Sequence, residues 1–136
     1  MATDSVEQGT PIVPKRSEAD RNRSAGNVLT LTIPISTALT EIIRLHGRRI
    51  VAIEMPAAWT AAAITFLSGS DDAGLHGVFD DLGVEVSAAV AVDQIVAITG
   101  AKADALACLD RLQLRSGNTA TPVNQTAART IKLLLK

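Results

Sequence analysis

Two pairs of adjacent carboxylates, Asp71-Asp72 and Asp80-Asp81, form the densest grouping of side chains capable of chemistry. Neighbouring acids in a loop can supply oxygens to Ca2+, which takes about six to eight such ligands. The spacing of a calcium loop, with acids at alternate positions ahead of a glycine, is missing. Carboxylates can also work as acid and base on a glycosidic bond, which would set Asp71 or Asp72 against Asp80 about 5–10 Å apart across a cleft. A catalytic pair needs one carboxyl of raised pKa, and exposed turns seldom supply it. Both pairs lie in turn-rich sequence, Ser68-Gly-Ser-Asp-Asp-Ala-Gly74 and Asp80-Asp-Leu-Gly83. The expectation is therefore soluble turn residues at the edge of a β domain.

The remaining reactive side chains are scattered. His46 and His76 are the only histidines, and neither belongs to a helical metal motif. Cys108, in Ala105-Leu-Ala-Cys-Leu109, is expected to be a small buried hydrophobe. No Gly-x-Ser-x-Gly elbow and no phosphate-cradling glycine loop occurs. Catalytic residues, metal ligands and cofactors are accordingly expected to be none. The only Trp, Trp59, follows Pro56 and precedes Ala61-Ala-Ala-Ile64-Thr-Phe66. It serves either as a stacking platform for a ligand or as a plug for the core. Small alanines beside it leave room for a large ring to lie flat, and its indole N–H then needs a loop carbonyl. The core plug is the expectation; the ligand alternative places Trp59, Asp71, Asp72 and His76 around one rim.

Composition narrows the partners. The chain has 136 residues, enough for one domain with a real core. A formal charge of −1 gives no general attraction to polyanions, so nucleic acid is not expected. Apolar runs such as Val84 to Val92 are interrupted by Glu85 and Ser87 and fall short of the ~20 residues that span a bilayer, so no membrane segment is expected. Nothing at the N-terminus has the basic and apolar regions of a secretory signal, and a lone cysteine permits no internal disulfide; synthesis in a cytosol is expected. Aromatics are only 2% of the chain, which under-equips it for stacking on sugars or bases.

Positioning these residues falls to strands. Residues 1–26 carry balanced charges and one short apolar cluster, Pro11-Ile12-Val13-Pro14, too little to fold alone. They are expected to be an extended N-terminal arm on a β domain of residues 27–136. Period-two alternation or β-branched content predicts strands over 28–33, 36–45, 49–55, 62–67, 75–80, 84–90, 94–99, 112–117 and 128–136. Asp81-Leu-Gly83 predicts a hairpin turn. Lys102 to Leu109 alone has Ala and Leu at helical spacing. About eight short strands with at most one short helix predict an all-β fold, an antiparallel β-sandwich or jelly roll. Arg48, Arg49, Lys132 and Lys136 are expected to be solvated charges that keep sheet edges from pairing.

The run Met55-Pro-Ala-Ala-Trp59-Thr-Ala-Ala-Ala-Ile64-Thr-Phe66-Leu-Ser68, the run Val78-Phe79-Asp80-Asp81-Leu82-Gly83-Val84-Glu85-Val86, and the closing Leu114-Arg115-Ser116-Gly117 with Ala127-Ala-Arg-Thr-Ile131 resemble short phage and prophage virion structural proteins. The same strand order resembles galactose-binding-like, discoidin-type β-sandwiches. The resemblance spans roughly residues 35–136. It implies a virion component made in the host cytoplasm, either a capsid decoration (cement) protein or the base of a head fibre. Its partners would be the major capsid protein or other virion proteins, and its own copies in a homo-oligomer. The arm residues expected to bind are Ile12, Val13, Lys15, Arg16, Arg21 and Arg23. Two other roles are a carbohydrate-binding module with the rim given above, and a tail or connector component.

Overall fold

The computed structural model describes residues 27–136, so the expected arm and its six binding residues lie outside the described part of the chain. The alternating stretch Val28–Ile33 forms β1, with Leu31 and Ile33 buried and Thr30 and Thr32 exposed. After β1 the chain runs through β2 (Ile43–Arg44), β3 (Ile50–Glu54), β4 (Ile64–Ser68), β5 (His76–Gly77), β6 (Ser87–Ala88) and β7 (Ile95–Ala97). One helix, α1 (Gly100–Ala107), precedes β8 (Arg111–Ser116) and β9 (Arg129–Leu135). The described protein is mostly β, and every strand pairing is antiparallel.

The strands build two sheets. The first has the order β1-β9-β3-β7. The second has the order β2-β8-β4, with β5 and β6 both paired to the remaining edge of β4. Consecutive strands thus switch sheets at β1–β2, β2–β3, β3–β4, β6–β7, β7–β8 and β8–β9. Each sheet turns one apolar face toward a common cluster. Leu31, Ile33, Ile53, Ile131 and Leu133 come from the first sheet, and Ile64, Phe66, Leu112 and Leu114 from the second. Leu45, Met55, Val86, Ile98 and Leu106 from connections and α1 join it. At about 25 cal/mol per Å2 of apolar surface removed from water, this shared cluster is the main stabilising term.

Several expected strands are shorter than their sequence pattern. Residues 36–45 reduce to Ile43–Arg44 plus a single bridge between Leu39 and Arg115. The reason lies at Thr40, whose hydroxyl accepts the Leu114 N–H at 3.0 Å while the Gln113 amide donates to its carbonyl at 2.7 Å. Side chains have taken the places of ladder partners. The expected hairpin after Leu75 forms, with Asp80 N–H donating to Val84 O at 2.8 Å and Gly83 in the left-handed region at φ 80°. Its regular strands are only two residues each, because both arms lie against the short β4. The helix begins at Gly100, slightly ahead of the expected 102–109.

Two side chains differ from expectation. Cys108 is exposed, since it follows the last turn of α1 on the side away from buried Leu106. Lys132 does not guard an edge: it stands on the solvent face of β9, between β1 and β3. Among the described residues no helix is long and apolar enough to cross a membrane.

Candidate functional site

The second sheet places alternate residues of β4 and β8 on its outer face, away from the core. Arg115 is the centre of that face and is only 7% exposed. Its Nη2 donates to Glu85 Oε2 at 2.7 Å and to Thr119 Oγ1 at 2.9 Å, and its Nε donates to Thr65 Oγ1 at 3.1 Å. Thr65 passes its own proton to Gly117 O at 2.8 Å, and Thr119 donates its backbone N–H and hydroxyl to the Glu85 carboxylate. The ion pair thereby fastens the 78–86 hairpin and the 117–122 loop to the sheet. Gly117, at φ 94°, brings Thr121 O to within 2.5 Å of where a Cβ would stand, so only glycine fits this junction.

A second polar node lies beside the first, at the end of β8. Gln125 is completely buried. Its Oε1 accepts the N–H of Thr60 at 2.8 Å and Arg129 Nε at 3.1 Å, while its Nε2 donates to Ser116 Oγ at 2.7 Å and Thr60 O at 3.1 Å. Its backbone bonds Ser36 and Thr37. One residue thus joins the β3–β4 connection, the end of β8 and the start of β9 through its side chain, and the 34–37 turn through its backbone. Trp59 sits beside this node, half-buried against the core, with Nε1 donating to Ala62 O at 3.0 Å. The core plug is what the geometry provides. Trp59→Phe, which keeps an aromatic ring but drops that bond and part of the indole's packing volume, is expected to lower the unfolding free energy by at least about 1 kcal/mol in urea titration.

The proposed ligand rim is not gathered in one place. Trp59 precedes β4, whereas Asp71 and Asp72 follow it, so the length of the strand separates them. Asp71 accepts the N–H groups of Ala73 and Gly74 and closes its own turn. Asp72 pairs with Arg111, whose Nη1 also donates to Ser70 O at 2.9 Å. His76 is exposed in β5, opposite Ser68. Asp80 accepts from Leu82 and Val84 N–H within the hairpin turn, and Asp81 is exposed beside it. His46 lies in the left-handed region at φ 52° in the β2–β3 turn. No three His, Cys, Asp or Glu side chains among the described residues are grouped to hold a metal ion.

Asp110 holds a further ion pair, with Arg44. Its Oδ1 accepts the His46 N–H at 2.8 Å, and its Oδ2 accepts Arg44 Nε at 2.6 Å, tying β2 and its following turn to the start of β8. The His46 N–H first and the Arg44 guanidinium second hold its carboxyl below the ordinary aspartate value. A depressed carboxyl stabilises the fold above its unfolded-state pKa, near 3.9, and that stability is lost as pH falls through the lower folded-state pKa. Asp110→Asn is therefore expected to be less stable than the parent at pH 7. The difference should shrink as denaturation is followed to strongly acidic pH.

Two clefts stand out among the described residues. One, of about 370 Å3, is bounded by the 36–39 turn, Leu67, Arg115, Pro122 and Asn124, and the paired Arg115 is the only charged group among those described residues. The other, of about 570 Å3, lies between the hairpin tip, Val78 to Leu82, and α1 with Leu109. Phe79 and Leu82 stand 49% and 84% exposed there, with Asp80, Asp81 and Asp104 around them. Comparison with protein-family models, with curated proteins and with solved structures finds no match for the chain.

Arg115, Glu85, Gln125 and Arg129 are the polar residues that pattern reading missed. Arg115 carried only the signal of an outward strand residue, alternating with Leu112 and Leu114. Gln125, inside a run of turn formers, carried none.

Proposed function

We propose that the chain is a structural protein of a phage virion, a capsid decoration (cement) protein or head-fibre base that binds and stabilises the assembled shell. Its β domain is taken to be an antiparallel jelly-roll sandwich, with residues 1–26 as the anchor. The observation that carries this reading is the strand order. The sheets β1-β9-β3-β7 and β2-β8-β4, the latter edged by β5 and β6, interleave as the two sheets of a jelly roll do, an architecture of viral capsid and lectin domains. Fold by itself does not give function, and the second support is the use of the polar groups. Arg44, Arg111, Arg115, Asp72, Glu85, Asp110 and Gln125 all hold a loop to a strand or to another loop. The residues behind the resemblance, Trp59, Arg115 and Gly117 among them, serve the scaffold.

The arm would gain affinity by ordering on its partner, burying Ile12 and Val13 and pairing Lys15, Arg16, Arg21 and Arg23 with acidic groups of the major capsid protein. Several copies around a symmetry axis add weak arms into a strong total. A partner that binds only the assembled shell shifts the equilibrium toward assembly. The glycan-binding alternative needs Trp59 beside Asp71, Asp72 and His76, and their separation by β4 leaves it without a supporting observation.

Co-sedimentation with capsid shells stripped of accessory proteins tests the proposal. The full-length chain should pellet with the shells, and Ile12→Asp/Val13→Asp, altered only in the arm, should stay in the supernatant while folded by circular dichroism. Equal pelleting of both would remove the arm from the account. Pelleting of neither would remove the shell.

A further inference from the structure

Of the two clefts, only the one between the hairpin tip and α1 combines exposed apolar surface with charge of a single sign. Phe79 and Leu82 are about half or more exposed, while Asp80, Asp81 and Asp104 line the cleft and, among the described residues, no lysine or arginine does. A surface of this kind fits a short segment that is apolar and then basic. The chain contains such a segment, Pro11-Ile12-Val13-Pro14-Lys15-Arg16. We propose that this cleft is the seat of the chain's own residues 11–16.

Reach is sufficient for the segment to arrive from the same molecule. The Leu135 N–H donates to Asn27 O at 2.7 Å, so the described chain begins at the end of the first sheet where β9 finishes. Ile50 pairs with Leu135, and the Ile98 N–H donates to Val51 O, which brings the end of β7 and the start of α1 to that same end. From β1 to β7 is three strand spacings, about 14 Å. Residues 17–26, if extended, span up to about 33 Å. The other cleft offers the same apolar contact but no carboxylate for Lys15 and Arg16. The seat does not depend on the identity of any partner; a shell that captures Ile12 and Lys15 has to displace them from it.

Cys108 makes the seat measurable, because it lines the cleft, is exposed and is the only cysteine of the chain. The rate of alkylation by uncharged iodoacetamide is compared between the full-length chain, Ile12→Asp/Val13→Asp and Lys15→Glu/Arg16→Glu. Both variants are expected to react several-fold faster, as the thiol loses its cover. Electrostatics alone would act in the opposite direction, since added negative charge raises a thiol pKa and slows the reaction. The protection should be the same at low and high protein concentration. Equal rates for the three proteins would overturn the proposal. Protection that grows with concentration would overturn it too, by assigning the segment to a neighbouring copy.

Discussion

Arg115→Met is expected to lower the unfolding free energy by about 3 kcal/mol, in the range found when one member of a buried ion pair is removed. The guanidinium is 9% exposed and its partner Glu85 17%, so the orphaned carboxylate keeps little access to water. Thr65 and Thr119 lose a donor at the same time. Replacing both charges, Arg115→Met with Glu85→Leu, should cost much less than the single change, because no unpaired charge is left. A urea double-mutant cycle measures both quantities. A single-variant loss within about 0.5 kcal/mol of zero, the range of ordinary surface substitutions, would show that the pair does not hold the hairpin.

Gln125→Leu should have an effect of similar size, about 2–4 kcal/mol, by a different route. Leucine fills most of the volume but leaves the Thr60 N–H, the Ser116 hydroxyl and the Arg129 guanidinium without the amide that joined them. Each buried polar group left unsatisfied costs about 1–3 kcal/mol, and relaxation toward solvent at Thr126 and Arg129 lowers the sum. Thermal melting reads the effect. Gln125→Glu keeps the acceptor for Thr60 and Arg129 and loses the donor to Ser116, and should fall between the parent and leucine.

Much of the fold was legible because its strands alternate. Val28–Ile33 and Arg129–Leu135 bury every second residue, and the pattern survives in the structure. The hairpin turn was legible because Gly83 marks a left-handed position. Strand lengths were not, since Thr40 and Gln113 replace ladder bonds with side-chain bonds, a choice that composition does not record. Cys108 deceived for a related reason: alanine and leucine on both sides suggest burial, but the helix ends one residue before it and turns it outward. Trp59 was legible, as a large ring beside alanines with one N–H to satisfy. The Arg115–Glu85 and Gln125–Thr60 contacts join residues 30 and 65 apart in the chain, and no local pattern announces a partner that far away.

The ion pairs of Arg44, Arg111 and Arg115 and the Gln125 amide hold loops to sheets, and the proposed function assigns anchoring to the segment before Asn27. The most direct test of that division is the melting temperature of stripped capsid shells with and without the full-length chain. Added protein is predicted to raise the shell melting temperature in a saturable way, and Ile12→Asp/Val13→Asp to leave it unchanged. Shells that melt at the same temperature with saturating full-length chain would contradict a cementing role.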